Sequence, residues 1–147
     1  MLGKPTVLRF LLLATLLILA IEYSLGIYVN AYLAPPYGDA VFSAHYALGV
    51  LLGALAVLVL AFSALTRSVP AIATSAVALV FIASAGQSGR LFAFQGQDPV
   101  YSVVMALGFL IAFASYFSEV LVVRRMSMMI VAQQAKTAGL VAQQQKT

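Results

Sequence analysis

The stretch VFSAHYALGVLLGALAVLVLAFSAL, residues 41–65, decides the fold. His45 is its only titratable side chain apart from Tyr46, and it contains no Asp, Glu, Lys or Arg. A helix at the surface of a soluble protein keeps one polar face, whereas this stretch is apolar all round. Because a membrane-spanning helix needs about 20 predominantly apolar residues, residues 41–65 predict a transmembrane helix.

Three further apolar runs lie on either side of this stretch, at about residues 6–32, 70–94 and 99–123. Apolar residues follow one another in these runs without the alternation that a lipid-facing β-strand needs. The first run is also too long for the core of a cleaved signal peptide. The sequence therefore predicts an all-α fold: an integral membrane four-helix bundle over residues 1–123. Residues 124–147 are expected to form a cytoplasmic polar tail, a helical extension that is frayed or disordered.

The composition of the chain agrees with a membrane protein. Of its 147 residues, 63% are hydrophobic and 8% are charged, and the mean hydropathy is +1.04. A soluble domain carries about 25% charged residues. The absence of cysteine excludes disulfides, thiolate metal sites and iron–sulfur clusters. The phosphate-binding loop, the Gly-x-Ser-x-Gly elbow and the His-Glu-x-x-His motif do not occur in the sequence.

The basic residues indicate topology and not nucleic-acid binding, although the net charge is +4. Of the eight basic residues, Arg90 alone lies towards the side of the predicted membrane opposite to the two termini. The other basic residues lie at the amino end, in the middle loop and in the tail: Lys4, Arg9, Arg67, Arg124, Arg125, Lys136 and Lys146. The positive-inside rule then predicts a multi-pass protein of the cell membrane with both termini cytoplasmic. The loops that contain Pro35-Pro36 and Gln95-Gly96-Gln97 are expected to face outward.

A few polar side chains within the apolar runs are candidates for function. A charge at the bilayer centre costs about 2.5–3.5 kcal/mol on insertion scales, so these side chains are expected to face the interior of the bundle. The outer half is expected to hold a polar cluster: Glu22, Asn30, His45, Gln87 and Arg90. Helix geometry leaves a Glu22–Arg90 ion pair open. Glu119, near the cytoplasmic end, is expected to pair with an arginine: Arg67, Arg124 or Arg125.

The surroundings of His45, the only histidine, point to a flat cofactor. Gly49 and Gly53 follow His45 at helical spacing on one face, which leaves bare backbone beside the imidazole. Haem iron needs an axial nitrogen ligand, and His with Met is a known ligand pair; Met105 has a comparable expected depth. His45, Met105, Gly49 and Gly53 are therefore predicted to bind haem b, with His45 as the metal ligand. The alternative is a hydrogen-bonded histidine beside the small residues that pack membrane helices closely.

Part of this region resembles a known family. The run Gly26-Ile-Tyr-Val-Asn30, the proline-containing loop and the run Ala44-His45-Tyr-Ala-Leu-Gly49 resemble the first hairpin of a four-helix half of haem A synthase. The resemblance implies that His45 binds haem b and that Glu22 or Asn30 is its acidic or polar neighbour. Tyr46 stands where that family has Arg, and Val104-Met105 where its fourth helix has another His. Small four-span prokaryotic membrane proteins without an assigned activity are similar in the same stretch.

Three functional hypotheses follow. The first is a small b-type haem-binding or haem-handling membrane protein with an outward-facing polar site. The second is a non-catalytic accessory or assembly subunit that packs against a larger membrane complex or against copies of itself. The third is a site for a small anionic or quinone-like ligand at Arg90, Gln87 and Asn30.

Overall fold

A computed structural model describes residues 4–32, 40–95 and 98–144. It contains four α-helices: α1 (Lys4–Tyr32), α2 (Ala40–Thr66), α3 (Val69–Phe94) and α4 (Pro99–Gln144). All four are long and apolar enough to cross a membrane. The prediction of an all-helical four-helix protein is therefore confirmed, and the sidedness of its termini stays a prediction. The Pro35-Pro36 loop, Gly96-Gln97 and residues 145–147 lie outside the described residues.

The helices are arranged in a ring in chain order. Within the described residues, α1 packs on α2 and α4, α3 packs on α2 and α4, and the most extensive interface joins α3 to α4. Two ends of the bundle are named here by their residues. The His45 end contains the carboxyl ends of α1 and α3 and the amino ends of α2 and α4. The Arg67 end contains the tight connection between α2 and α3.

Buried residues recur every three or four positions along each helix. In α1 the buried positions are 8, 12, 15, 19, 22, 26 and 29, and in α2 they are 52, 56, 59 and 63. This is the heptad spacing of helices that pack nearly parallel or antiparallel with a small left-handed twist. The register places Glu22 of α1 in the interior. In α4 the buried positions 109, 112, 116, 119 and 123 place Glu119 there too.

The connections at the two ends differ in local structure. Arg67 adopts the left-handed backbone conformation with φ 56°, which lets α2 end and α3 begin within two residues. Ser68 is the N-cap of α3, and Pro70 lies in its first turn, where no N–H is required. At the other end, Asp98 caps α4 by accepting a hydrogen bond from the Val100 N–H at 2.9 Å.

Helix α4 continues beyond the bundle. Val123 is the last residue of α4 that the structure describes as buried, yet the helix runs to Gln144. At 1.5 Å per residue, its 46 residues measure about 69 Å. Residues 128–139 are exposed throughout. The segment 124–144, called here the α4 extension, is therefore a continuous helix whose residues 128–139 do not pack against the bundle.

Candidate ligand-binding site

A cavity of about 350 Å³ lies at the His45 end, mainly between α2 and α3. Its volume falls at the lower end of the range of small-molecule pockets, about 300–1,000 Å³. The residues singled out in the sequence all line it: Glu22, Asn30, His45, Gly49, Gly53, Gln87, Arg90 and Met105. The structure thus brings the eight residues to one cavity, but some of them are buried inside the bundle and others are exposed at the edge of the cavity.

His45 and Glu22 form the polar floor of this cavity. His45 Nδ1 lies 2.9 Å from Glu22 Oε1, and the two side chains are 15% and 2% exposed. The distance suits a hydrogen bond, but the atoms are not aligned for one, because Nδ1 has no hydrogen-bond partner among the described residues. The other carboxyl oxygen, Glu22 Oε2, is also buried without a partner there. The floor therefore holds two polar atoms with unused hydrogen-bonding capacity.

Glycines let the backbone approach these two side chains. A Cβ atom at Gly26 would lie 3.3 Å from His45 Cε1 and 3.8 Å from Nε2. A Cβ atom at Gly49 would lie 3.0 Å from Glu22 Oε1. By contrast, a Cβ atom at Gly53 or Gly86 would meet nothing within 4 Å. Gly26 and Gly49 thus make room for the His45–Glu22 pair, whereas Gly53 and Gly86 border open space in the cavity.

Met105 lies close to the imidazole. Its methyl carbon is 3.9 Å from the position that a Cβ of Gly26 would occupy, next to the Nε2 edge of His45. Its Sδ is 3.1 Å from the corresponding position at Gly89. The thioether of α4 and the imidazole of α2 therefore reach the same region of α1, as their similar expected depth suggested.

Gln87 and Arg90 do not face the bundle interior, and the prediction that they do is wrong. Both are exposed, at the rim of the cavity. The buried positions of α3 are 82, 85 and 88 in this region, so Gln87 and Arg90 fall beside the interior stripe and not on it. Together with Tyr46 they also line a second, more open cavity of about 630 Å³.

The Glu22–Arg90 ion pair that helix geometry left open does not form, because Arg90 is exposed. Glu22 contacts His45, which the register of α2 places nearer to it. Asn30 is exposed, and its amide donates a hydrogen bond to the Ser102 hydroxyl of α4. The predicted polar cluster is therefore divided into a buried Glu22–His45 pair, an Asn30–Ser102 contact and an exposed Gln87–Arg90 rim.

A second polar group lies towards the Arg67 end, around Glu119. The expectation that Glu119 pairs with an arginine is wrong, because Arg67, Arg124 and Arg125 are exposed. Ser63 of α2 and Ser75 of α3 instead hydrogen-bond its two carboxyl oxygens. Sequence reasoning missed both serines. Heptad spacing was the available signal, because Ser63 follows Ala56 and Val59, and Ser75 follows Ala71, on the buried stripes of their helices.

Fold and site together define a class: a four-helix protein with membrane-spanning helix lengths and a histidine–carboxylate pair at the floor of an interhelical cavity. No protein-family model, curated protein or solved structure matches the chain. The function must therefore be argued from the site itself.

Proposed function

We propose that the protein is a small b-type haem-binding protein of the cell membrane, with both termini cytoplasmic and with His45 as the axial ligand of the iron. The observation that carries the proposal is the His45–Glu22 pair on a glycine-bordered cavity. Haem, when bound, supplies one-electron redox chemistry. The chain's own residues would supply the ligand, its orientation and a largely apolar surrounding.

The contact between His45 and Glu22 supports a ligand role for the imidazole. Metal-ligating histidines almost always donate their other ring N–H to a carboxylate, a carbonyl or water, which fixes the tautomer and raises the basicity of the ligand. Nδ1 lies 2.9 Å from Glu22 Oε1, so a small rotation of the ring would align the two for this hydrogen bond and leave Nε2 as the nitrogen available to the iron. Nε2 lies against the bare backbone of Gly26, near the methyl group of Met105.

The shape and charge of the cavity support a flat, largely apolar ligand that carries anionic groups. Gly53 and Gly86 border open space between α2 and α3, so a planar group can lie against both backbones. Arg90 stands exposed at the rim. A guanidinium binds carboxylates in a bidentate fork, and it suits the propionate groups of haem. Met105 is the candidate second axial ligand.

The donor set favours iron that is held within a macrocycle over a metal held by side chains alone. The described residues contain no group of three or more His, Cys, Asp or Glu side chains placed to hold a metal ion. One imidazole and one thioether match the two axial positions that a haem leaves for the protein.

The reduced-minus-oxidised absorption spectrum of the detergent-purified protein tests this proposal. We expect a b-type haem band in the wild type and none in His45→Ala. Gly53→Leu should also remove the band, because its side chain would fill the open space of the cavity. Gly139→Leu is the matched control, since a Cβ at this exposed position in the α4 extension also meets nothing within 4 Å. A colourless wild type, or a band that persists in His45→Ala, would overturn the proposal.

A second candidate, an accessory subunit of a larger membrane complex or homo-oligomer, is favoured by the α4 extension. The extension displays four consecutive exposed apolar side chains, at positions 128–131, beyond the last buried residue of the bundle. Sedimentation in mild detergent tests this role. The full chain should sediment above the monomer mass, and a chain that ends at Arg125 should sediment as a monomer. Monomers in both cases would contradict it.

A further inference from the structure

The polar group around Glu119 is a site separate from the cavity at His45. Glu119 is 0% exposed, and Ser63 and Ser75 bring hydroxyl groups to it from two other helices. Tyr116, one turn earlier on the same face of α4, is also fully buried, and its hydroxyl has no hydrogen-bond partner among the described residues. The proposed haem site uses none of these four residues.

No positive charge compensates this carboxyl group within the described part of the chain. The one contact there between a basic and an acidic side chain joins His45 to Glu22, and the nearest arginines in sequence, Arg124 and Arg125, are exposed. The buried residues of α1 in this half of the bundle are Leu8, Leu12 and Thr15, none of which titrates. The titratable neighbour is Tyr116. An ionised carboxylate buried without a partner is very costly in an apolar medium, and a bound proton removes that cost.

Counting hydrogen atoms leads to the same conclusion. The oxygens of this group make four contacts of hydrogen-bond length: Ser63 Oγ to Val59 O at 2.8 Å, Ser75 Oγ to Ser63 Oγ at 2.9 Å, Ser75 Oγ to Glu119 Oε2 at 2.7 Å, and Ser63 Oγ to Glu119 Oε1. Each serine hydroxyl has one hydrogen to donate, so two hydrogens serve four contacts if Glu119 is ionised. A proton on Oε1, donated to Ser63 Oγ, frees Ser63 to donate to Val59 O and Ser75 to donate to Oε2, so that three hydrogens serve three of the four contacts and only the one between Ser75 Oγ and Ser63 Oγ has none.

We propose that Glu119 is a binding site for an exchangeable proton, which burial without a counter-charge retains on the carboxyl group at neutral pH, while Ser63 and Ser75 orient the group. The site lies close to water at the Arg67 end. Ser63 precedes the exposed Arg67 by one helical turn, about 6 Å along the axis. A proton that enters or leaves therefore has a short path to that side of the bundle.

Infrared spectroscopy of the full-length protein in lipid tests this proposal. Glu22 and Glu119 are the only glutamates in the chain, so selective ¹³C labelling of glutamate in the Glu22→Gln variant reports on Glu119 alone. At pH 7 we expect the C=O band of a protonated carboxylic acid, and we expect D₂O to shift it. Ser63→Ala should move the band, because the hydrogen-bond acceptor of the acid is removed. Glu119→Gln, neutral and of the same shape, should fold as the wild type does.

Three results would overturn the proposal. A labelled carboxylate signal at pH 7 without an acid band would show that Glu119 is ionised, and a band that is displaced only by added sodium would identify a sodium site instead. An acid band that D₂O leaves unshifted would show a trapped proton and not an exchangeable one.

Discussion

A methyl group at Gly49 tests whether the contact between His45 and Glu22 supports ligand binding. The Cβ of Gly49→Ala would lie 3.0 Å from Glu22 Oε1, whereas carbon–oxygen contacts settle at about 3.3–3.6 Å. The carboxyl group must therefore retreat by about 0.3–0.6 Å. Glu22 is 2% exposed, and the retreat from Gly49 would lengthen or tilt its 2.9 Å contact with His45 Nδ1.

The size of the effect follows from what that contact does for a metal ligand. Loss of a second-shell partner typically costs 10–100-fold in affinity, and a partner that is displaced but not removed keeps part of its effect. We therefore expect Gly49→Ala to weaken haem binding about tenfold, which corresponds to about 1.4 kcal/mol. Removal of the carboxylate in Glu22→Gln should cost more than this, towards the upper end of the range.

Titration of the haem-free protein with haem in detergent, followed by absorbance, measures this affinity. Gly139→Ala is the control, because it adds the same methyl group outside the cavity, at a position in the α4 extension where a Cβ also meets nothing within 4 Å. We expect its affinity to equal that of the wild type. Equal affinities for Gly49→Ala and Gly139→Ala would refute the argument that Glu22 supports the imidazole.

Further predictions concern packing, polarity and topology. Gly108→Ala should destabilise the bundle by about 1–3 kcal/mol in detergent unfolding, because its Cβ would lie 2.9 Å from Phe81 O and 3.0 Å from Ala85 Cβ at the α3–α4 interface. A variant as stable as the wild type would show that α3 and α4 can move apart at no cost. Tyr116→Phe removes a buried hydroxyl that has no hydrogen-bond partner among the described residues, so thermal unfolding should show a stability equal to or higher than that of the wild type. A loss of stability above about 1 kcal/mol would show that the hydroxyl does have a hydrogen-bond partner. Since the chain has no cysteine, Gln133→Cys gives a single thiol, which a membrane-impermeant maleimide should label only from the cytoplasmic side; labelling of intact cells from outside would reverse the topology.

The helical bundle could be predicted from the sequence because lipid imposes a strong length and composition signal. The side chains that face its interior were less predictable, because the free-energy cost of exposing a polar side chain to lipid does not by itself determine which way that side chain points. Gln87 and Arg90 were placed inside on grounds of cost, yet they lie off the stripe of buried positions in α3 and reach the rim. A polar or charged side chain next to a cavity, or near the end of a helix, can reach water there and does not have to face the interior of the bundle.

The partners of the buried acids show the same limit. Glu22 and His45 belong to adjacent helices joined through residues outside the described ranges, so their 2.9 Å contact depends on the relative register of α1 and α2. Glu119 was assigned to arginines that are near in sequence, whereas Ser63 and Ser75 reach it from two other helices. Sequence spacing locates a residue on its own helix, and only the packed bundle determines which residues of other helices it meets.

The central claim, that His45 anchors a haem in the cavity between α2 and α3, is tested most directly by the haem content of the purified protein. The pyridine haemochrome assay, combined with quantitation of the chain, gives the number of b haems per molecule after expression with ample haem supply. The account predicts one haem per chain in the wild type and none in His45→Ala. Equal haem contents in the two proteins, or none in either, would contradict it.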